Sequence, residues 1–157
     1  VLDVFWRHQF IYGIFYQSYR LGARGEHRKR CFNFGSSPKK RFFDSRLVES
    51  GAYAQYTENG ISLMYNASNA ANYSDPNLPK FTYAAGQALF DKDKPYKLKD
   101  RTDSYFIYPD KAYEKIGEVN EVCFVEGLVF FKEKWFLYFG TADSKIAEAV
   151  YDPSTKK

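Results

Sequence analysis

The chain has 157 residues, enough for one hydrophobic core, and a formal net charge of +4. No run of 18 apolar residues occurs, which excludes a transmembrane helix. Cys31 and Cys123 show neither metal-ligand spacing nor a disulfide framework, so we predict no metal or other cofactor. Aromatic residues make up 20% of the chain, which favours a β-rich protein with surfaces on which rings can stack.

The charge is unevenly distributed along the chain. Residues 1–41 hold nine Lys or Arg against two acidic residues, whereas the remaining 116 residues carry a balance of −3. A basic, aromatic-rich arm on an acidic body is typical of a nucleic-acid contact, and this hypothesis requires a test. The chain also begins with Val1 rather than Met, so we expect it to be part of a longer protein.

From Phe42 onward, short strands separated by turns dominate the pattern, and almost no helical periodicity is present. Glu58-Asn59-Gly60 is a hairpin turn signal, and Asp91–Arg101 is expected to be a charged connector. This spacing predicts an all-β sandwich or propeller. The predicted strands are Ala52–Tyr56, Ile61–Asn66, Phe81–Phe90, Ser104–Tyr108, Val122–Phe131, Trp135–Phe139 and Lys145–Tyr151.

Two carboxylates lie where strand packing does not favour them. Glu126 interrupts an apolar run just before Gly127, and Asp143 follows the next predicted strand in a Gly140–Ser144 corner. Such positions suit a sugar-binding β-scaffold, although a solvated sheet edge explains them equally well.

Several segments resemble the C-terminal half of glycoside hydrolase family 130. They are FDSRLVESG, GQALFD, VNEVCFVEGLVFF and WFLYFGTADSKI, in order and without obvious gaps across residues 42–157. The family contains β-mannoside phosphorylases and β-1,2-mannosidases built on a five-bladed β-propeller. The resemblance therefore implies an all-β chain that covers the last two to three blades of such a propeller. It leaves open whether the bacterial parent is located in the cytoplasm or the periplasm.

Residues 1–41 do not resemble the family in this frame. Permissible codons for residues 1–40, when shifted by one nucleotide, encode a sequence that resembles the family's preceding blade. The frame would be restored near Lys39-Lys40-Arg41, where an adenine run invites a lost or gained base. We therefore expect residues 1–41 to be a frameshifted segment, in which the basic cluster is not a binding site.

The resemblance implies that Glu49 and Glu126 are the catalytic carboxylates. Glycosidic cleavage with inversion needs an acid at the leaving oxygen and a base-activated water, or an incoming phosphate. Phosphorylases of the family carry a basic residue near the Glu49 position, and a carboxylate there would repel phosphate and suit water activation. A loop glutamate at a strand start, or a glutamate that binds neighbouring backbone amides, are the alternatives.

The resemblance also implies a set of substrate-binding residues. Asp143 would accept hydrogen bonds from mannose hydroxyls, and Asn66 stands where phosphorylases commonly show a phosphate-binding His. Tyr83 and Trp135 could stack on sugar rings, although strand aromatics more often belong to the core. The predicted substrate-binding residues are Asp143, Asn66, Tyr65, Asn120 and Arg101.

These observations predict an inverting glycosidase for β-linked manno-oligosaccharides, inactive as an isolated fragment. The alternatives are a β-mannoside phosphorylase, with inorganic phosphate as co-substrate, and a non-catalytic carbohydrate-binding module. The expected partner is a β-mannoside, with no nucleic acid or membrane, and the full-length parent could be a homo-oligomer.

Overall fold

The computed structural model describes residues 40–155, which form two antiparallel sheets joined by a loop region. Within these residues no helix is long and apolar enough to span a membrane. The elements are β1 (Leu47–Ser50), β2 (Gln55–Thr57), β3 (Gly60–Ser68), β4 (Tyr83–Phe90), β5 (Leu98–Arg101), α1 (Ala112–Lys115), β6 (Cys123–Phe131), β7 (Lys134–Thr141), β8 (Lys145–Tyr151) and a 3₁₀ turn at Pro153–Thr155.

The first sheet has the order β1-β3-β4-β5, and β2 pairs with the other end of β3. β1 and β2 therefore act as one interrupted strand along β3, separated by residues 51–54. β3 is buried along its whole length, because strands lie on both sides of it and the second sheet packs against it. The predicted Glu58–Gly60 hairpin is confirmed, with Thr57 paired to Gly60.

The second sheet is a meander of β6, β7 and β8. Its first turn holds Lys132 and Glu133 with φ values of 47° and 61°. Two successive positive φ values belong to the type I′ turn, whose twist matches that of the flanking strands. The prediction of three strands in this part of the chain is confirmed, although β7 extends to Thr141, beyond the predicted end at Phe139.

The two sheets pack face to face through one apolar core. Met64 and Ala85 of the first sheet meet Val125, Leu128 and Leu137 of the second. Because successive strand residues point to opposite faces, Val125 of β6 and Leu137 and Phe139 of β7 turn toward this core. The observed arrangement of small packed antiparallel sheets confirms the predicted all-β class.

Two predictions within the connecting regions are wrong. Ser104–Tyr108 is not a strand, since it makes only a single bridge, between Ala85 and Ile107. The rings of Tyr105 and Tyr108 pack against each other with centroids 4.8 Å apart. Side-chain packing rather than strand pairing therefore holds this segment. The predicted charged connector Asp91–Arg101 contains the edge strand β5. The sequence did not predict this strand because its residues are mostly charged, as edge strands often are.

The expectation of a frameshifted segment at residues 1–41 falls almost entirely outside the described residues. Only Lys40 and Arg41 belong to the described part. The basic cluster, both histidines, Trp6 and Cys31 lie outside it, so the frameshift hypothesis stays a prediction.

Cys123 provides a reporter for the integrity of this core. The side chain is fully buried between the sheets, and burial raises the pKa of its thiol far above the usual range. Because the thiolate is the reactive species, we expect Cys123 to resist an aromatic disulfide reagent in the native protein and to react on unfolding. Peptide mass spectrometry that separates Cys123 from Cys31 measures this, and rapid native labelling of Cys123 would contradict the packing.

Candidate active site

Glu126 occupies a β-bulge in the middle of β6. The β6–β7 register runs from Val125 paired with Phe139 directly to Gly127 paired with Tyr138, so Glu126 is the extra residue. A bulge redirects the side chain of the inserted residue, and bulges are common beside active sites. The Glu126 side chain is exposed and lies toward Gly140 on the neighbouring strand, where an added Cβ would be 3.8 Å from Glu126 Oε1.

Asp143 lies in a strained turn at the end of β7. Ala142 and Asp143 have φ values of 48° and 50°, and the Ser144 amide donates to the Thr141 carbonyl at 3.0 Å. Aspartate tolerates this left-handed conformation, whereas the buried Ala142 adopts it only because its surroundings require it. The Ala142 amide donates to the Val122 carbonyl at 3.0 Å, which ties the turn to the start of β6.

Glu126 and Asp143 line the same open cleft, which has a volume of about 650 Å³. Its aromatic wall is Tyr83 with Phe124, whose ring centroids are 6.0 Å apart. Gly140 also lines the cleft, close to Glu126, and Lys145 contributes a cation. In the described part of the chain, neither carboxylate has a hydrogen-bond or ion-pair partner, so both are available to a ligand. Carboxylates beside an aromatic wall match the polar hydroxyls and apolar faces of a sugar.

Glu49 lies on β1 and is not among the residues that line the cleft, although its ladder partner Asn66 reaches β6. Glu49 pairs with Asn66 in the β1–β3 register, and its side chain is exposed. The Asn66 side chain crosses to the second sheet, where Nδ2 donates to the Val125 carbonyl at 2.9 Å and Oδ1 accepts from the Val125 amide at 2.7 Å. Val125 directly precedes Glu126. The two predicted catalytic carboxylates are therefore held on strands that meet at one amide side chain.

The structure gives Asn66 partners other than a sugar. The residue is 0% exposed, and both ends of its amide are bound to the Val125 backbone. Its predicted contact with a sugar hydroxyl has no support in this geometry. An asparagine on a strand does not reveal from sequence alone that it bridges two sheets.

Tyr65 and Arg101 also lie in the interior and do not line the cleft. The Tyr65 hydroxyl donates to Asp44 Oδ2 at 3.2 Å, and an Arg101 nitrogen lies 3.2 Å from the same oxygen. Burial, reinforced by the Asp44 charge, raises the pKa of the Tyr65 phenol well above its usual range. Gly86 makes room for this cluster, because a Cβ there would lie 2.7 Å from the Tyr65 ring and 2.6 Å from that of Phe43. Both residues are buried and outside the cleft lining, and their predicted role in substrate binding stays a prediction.

Of the remaining candidates, Tyr83 lines the cleft, whereas Asn120 and Trp135 do not. Asn120 is exposed but accepts a hydrogen bond from the Gly117 amide at 3.3 Å within its own loop. Tyr83 lines the cleft, as a stacking residue would, whereas Trp135 packs on Phe130 with centroids 4.8 Å apart. Sequence reasoning missed Gly140, whose only signal is a glycine inside an aromatic strand. Among the residues that the structure describes, no group of three potential ligands could hold a metal ion.

Comparison with known proteins identifies the family. The profile of glycoside hydrolase family 130, described as β-1,4-mannooligosaccharide phosphorylase, matches residues 25–153. The chain belongs to glycoside hydrolase family 130. This confirms the resemblance drawn from the sequence, and with it the β-propeller class of the two sheets.

The chain is similar to proteins described as hydrolases and to proteins described as phosphorylases. A solved glycosyl hydrolase from Bacteroides ovatus is 45% identical, with a TM-score of 0.74 over 78% of this chain and 34% of that one. A second structure belongs to work on family 130 glycoside hydrolases that target β-1,2-mannosidic linkages in Candida mannan. It is 44% identical, with a TM-score of 0.74 over 78% of this chain and 34% of its own.

A phosphorylase is a more distant relative. The β-1,2-mannobiose phosphorylase of Listeria innocua is 29% identical over 127 residues, which is 81% of this chain and 32% of that protein. The chain thus spans about a third of the length of these relatives.

Tyr65→Phe distinguishes a core role for Tyr65 from substrate binding. The change removes the donor to the buried Asp44 carboxylate, so we expect unfolding free energy to fall by about 1–3 kcal/mol. The exposed Tyr56 offers a matched control in the same sheet, where Tyr56→Phe should leave stability unchanged. Urea denaturation measures both variants, and a weakened sugar affinity without loss of stability would restore the substrate-binding hypothesis.

Proposed function

We propose that the full-length protein hydrolyses β-mannosides with inversion, using the cleft between the bulge of β6 and the turn after β7. Glu49 activates the water, Glu126 is the partner carboxylate, and Asp143 accepts hydrogen bonds from mannose hydroxyls. The observation that supports this most directly is the bulge, which presents Glu126 to the cleft that Asp143 also lines.

The chemistry of the cleft supports a sugar ligand. The Tyr83–Phe124 wall provides an apolar surface for a sugar face, and Glu126 and Asp143 provide acceptors for its hydroxyls. A carboxylate at such a site can act as acid or base, a role that commonly contributes a 10²- to 10⁴-fold rate enhancement.

Two observations favour hydrolysis over phosphorolysis. Glu49 is an exposed acidic residue at the position where the resembling phosphorylases carry a basic one, so it offers no cation to bind phosphate. The solved relatives described as glycosyl or glycoside hydrolases are 44–45% identical to this chain, against 29% for the Listeria phosphorylase.

Product analysis tests the proposed reaction. Full-length protein is incubated with β-1,2-mannobiose and with β-1,4-linked manno-oligosaccharides, in the presence and absence of inorganic phosphate. We expect free mannose at the same rate in both conditions, released first as the α-anomer by NMR, because inversion converts a β-linkage. Glu49→Gln and Glu126→Gln should each lower kcat by about 10²- to 10⁴-fold. Sugar binding without turnover by the unaltered protein would instead indicate a carbohydrate-binding module.

Lys145 supports a second candidate function, the phosphorolysis of β-mannosides. It is the cation that lines the cleft within the described residues, and an ammonium group there could hold inorganic phosphate. This candidate predicts mannose 1-phosphate as the product and a raised KM for phosphate in Lys145→Ala. A phosphate-independent release of mannose that Lys145→Ala leaves unchanged would exclude it.

Gly140→Ala tests whether this cleft holds the substrate. The nearest atoms to a Cβ at Gly140 lie 3.8 Å or more away, so the fold can accept the methyl group, which would occupy space beside Glu126. We expect unchanged thermal stability and a several-fold rise in KM for the mannoside. Gly127→Ala is the matched control, because its Cβ also meets only ordinary contacts, at 3.6 Å, on the same pair of strands and outside the cleft lining. Equal kinetics for the two variants would place the substrate elsewhere.

A further inference from the structure

We infer that Asn66 is the positioning residue of the active site: it sets the bulge that carries Glu126 and fixes this bulge relative to the strand that carries Glu49. This inference rests on the proposed function, because it assumes that both carboxylates act on one substrate. It assigns Asn66 a role through the protein backbone rather than a contact with sugar or phosphate.

The first support is the bonding of the Asn66 amide. Its two hydrogen bonds to Val125, at 2.9 and 2.7 Å, take up both the amide and the carbonyl of the residue immediately before the bulge. Since the ladder register shifts between Val125 and Gly127, the β6–β7 pairing alone does not hold Glu126 in a unique orientation. A bidentate side-chain contact on Val125 supplies the missing constraint.

The second support is the position of Asn66 on β3. It pairs directly with Glu49 across the β1–β3 ladder, so any movement of Asn66 also moves the strand of Glu49. Asn66 is 0% exposed, and a buried polar group with both ends bonded is held rigidly. One side chain therefore couples the two carboxylates.

Gly51 provides an independent sign that three strands converge here. A Cβ at Gly51 would lie 2.8 Å from the Met64 carbonyl, 3.2 Å from the Val125 carbonyl and 3.3 Å from Asn66 Nδ2. The first two neighbours are backbone atoms of β3 and β6, which cannot move aside independently. The residue two positions after Glu49 is thus packed against the same Val125 that Asn66 binds.

Asn66→Asp should make the two hydrogen bonds between residue 66 and the Val125 backbone depend on pH. A protonated carboxyl group can replace the amide, because its O–H donates to the Val125 carbonyl and its other oxygen accepts from the Val125 amide. The ionised carboxylate has no proton for the carbonyl, and burial disfavours its charge, which raises its pKa above that of an exposed aspartate. The variant is therefore intact at low pH and disrupted as the pH rises through that raised pKa.

The experiment compares kcat and KM of full-length Asn66→Asp and Asn66→Ala with those of the unaltered protein across pH. Each rate is normalised to the unaltered protein at the same pH. We expect Asn66→Ala to lose about 10- to 100-fold in kcat with KM little changed, as misplacement of a catalytic group by about 1 Å does. Asn66→Asp should approach normal turnover at the acidic end and lose it as the pH rises.

Asn69 is the matched control. It is also a fully buried asparagine, and its amide donates to the backbone carbonyls of Asp75, Leu78 and Pro79 in a loop that does not line the cleft. Asn69→Asp should lower thermal stability without this change in the normalised pH profile. Amide hydrogen exchange should show faster exchange at Val125 in Asn66→Ala than in Asn69→Ala, even if turnover is too slow to measure.

A double-mutant comparison with Glu126→Gln completes the test. If Asn66 positions Glu126, Asn66→Ala should cost less in the Glu126→Gln background than it costs alone, because one of the two groups that it positions is already inactive; fully additive losses would contradict this coupling. A raised KM with normal kcat in Asn66→Ala would overturn the inference in favour of direct substrate contact. Normal kcat with normal KM would overturn it in favour of a purely structural role. Full turnover by Glu126→Gln itself would overturn the catalytic assignment under the proposed function, and this inference with it.

Discussion

The contact between the Asn66 side chain and the Val125 backbone is the constraint on which the site depends. Two sheets that pack only through apolar side chains can slide relative to each other at small energetic cost, since hydrophobic contact has no direction. A buried amide that binds both the amide and the carbonyl of one residue in the opposite sheet removes that freedom, because leaving either group unpaired in the interior costs about 1–3 kcal/mol. The contact holds Val125, the residue before Glu126, against Asn66, the ladder partner of Glu49.

Two irregularities in the second sheet bring its carboxylates to one cleft. The bulge in β6 turns Glu126 out of the normal alternation, and the left-handed turn after β7 projects Asp143 from the end of the hairpin. Either feature alone is a common departure from strand geometry. Together with Gly140, they leave an open space bounded by acceptors and by the Tyr83–Phe124 wall.

The interior cluster of Asp44, Tyr65 and Arg101 shows that residues close to a family motif need not line the cleft. These polar residues occur close to recognisable motif segments, which made Tyr65 and Arg101 reasonable candidates for ligand binding. The Tyr65 hydroxyl donates to Asp44, and Arg101 forms an ion pair with the same carboxylate inside the first sheet, where Gly86 leaves space for the rings. Among the described residues, the guanidinium nitrogens of the buried Arg101 have no hydrogen-bond partner, so the polar groups of this cluster are only partly satisfied.

The sequence by itself determined the fold class, most strand positions and the family. It also showed that Glu126 and Asp143 are carboxylates at positions that strand packing does not favour. These follow from local patterns, since period-two alternation, turn residues and motif order are properties of neighbouring positions along the chain. Only the tertiary structure decided that Asn66, Tyr65 and Arg101 are internal, that β5 exists, and that Glu126 occupies a bulge. Each of these depends on which residue of a distant strand lies opposite, for example the 59 positions that separate Asn66 from Val125. Such pairing is set by the packing of whole sheets, and short-range sequence patterns do not encode it.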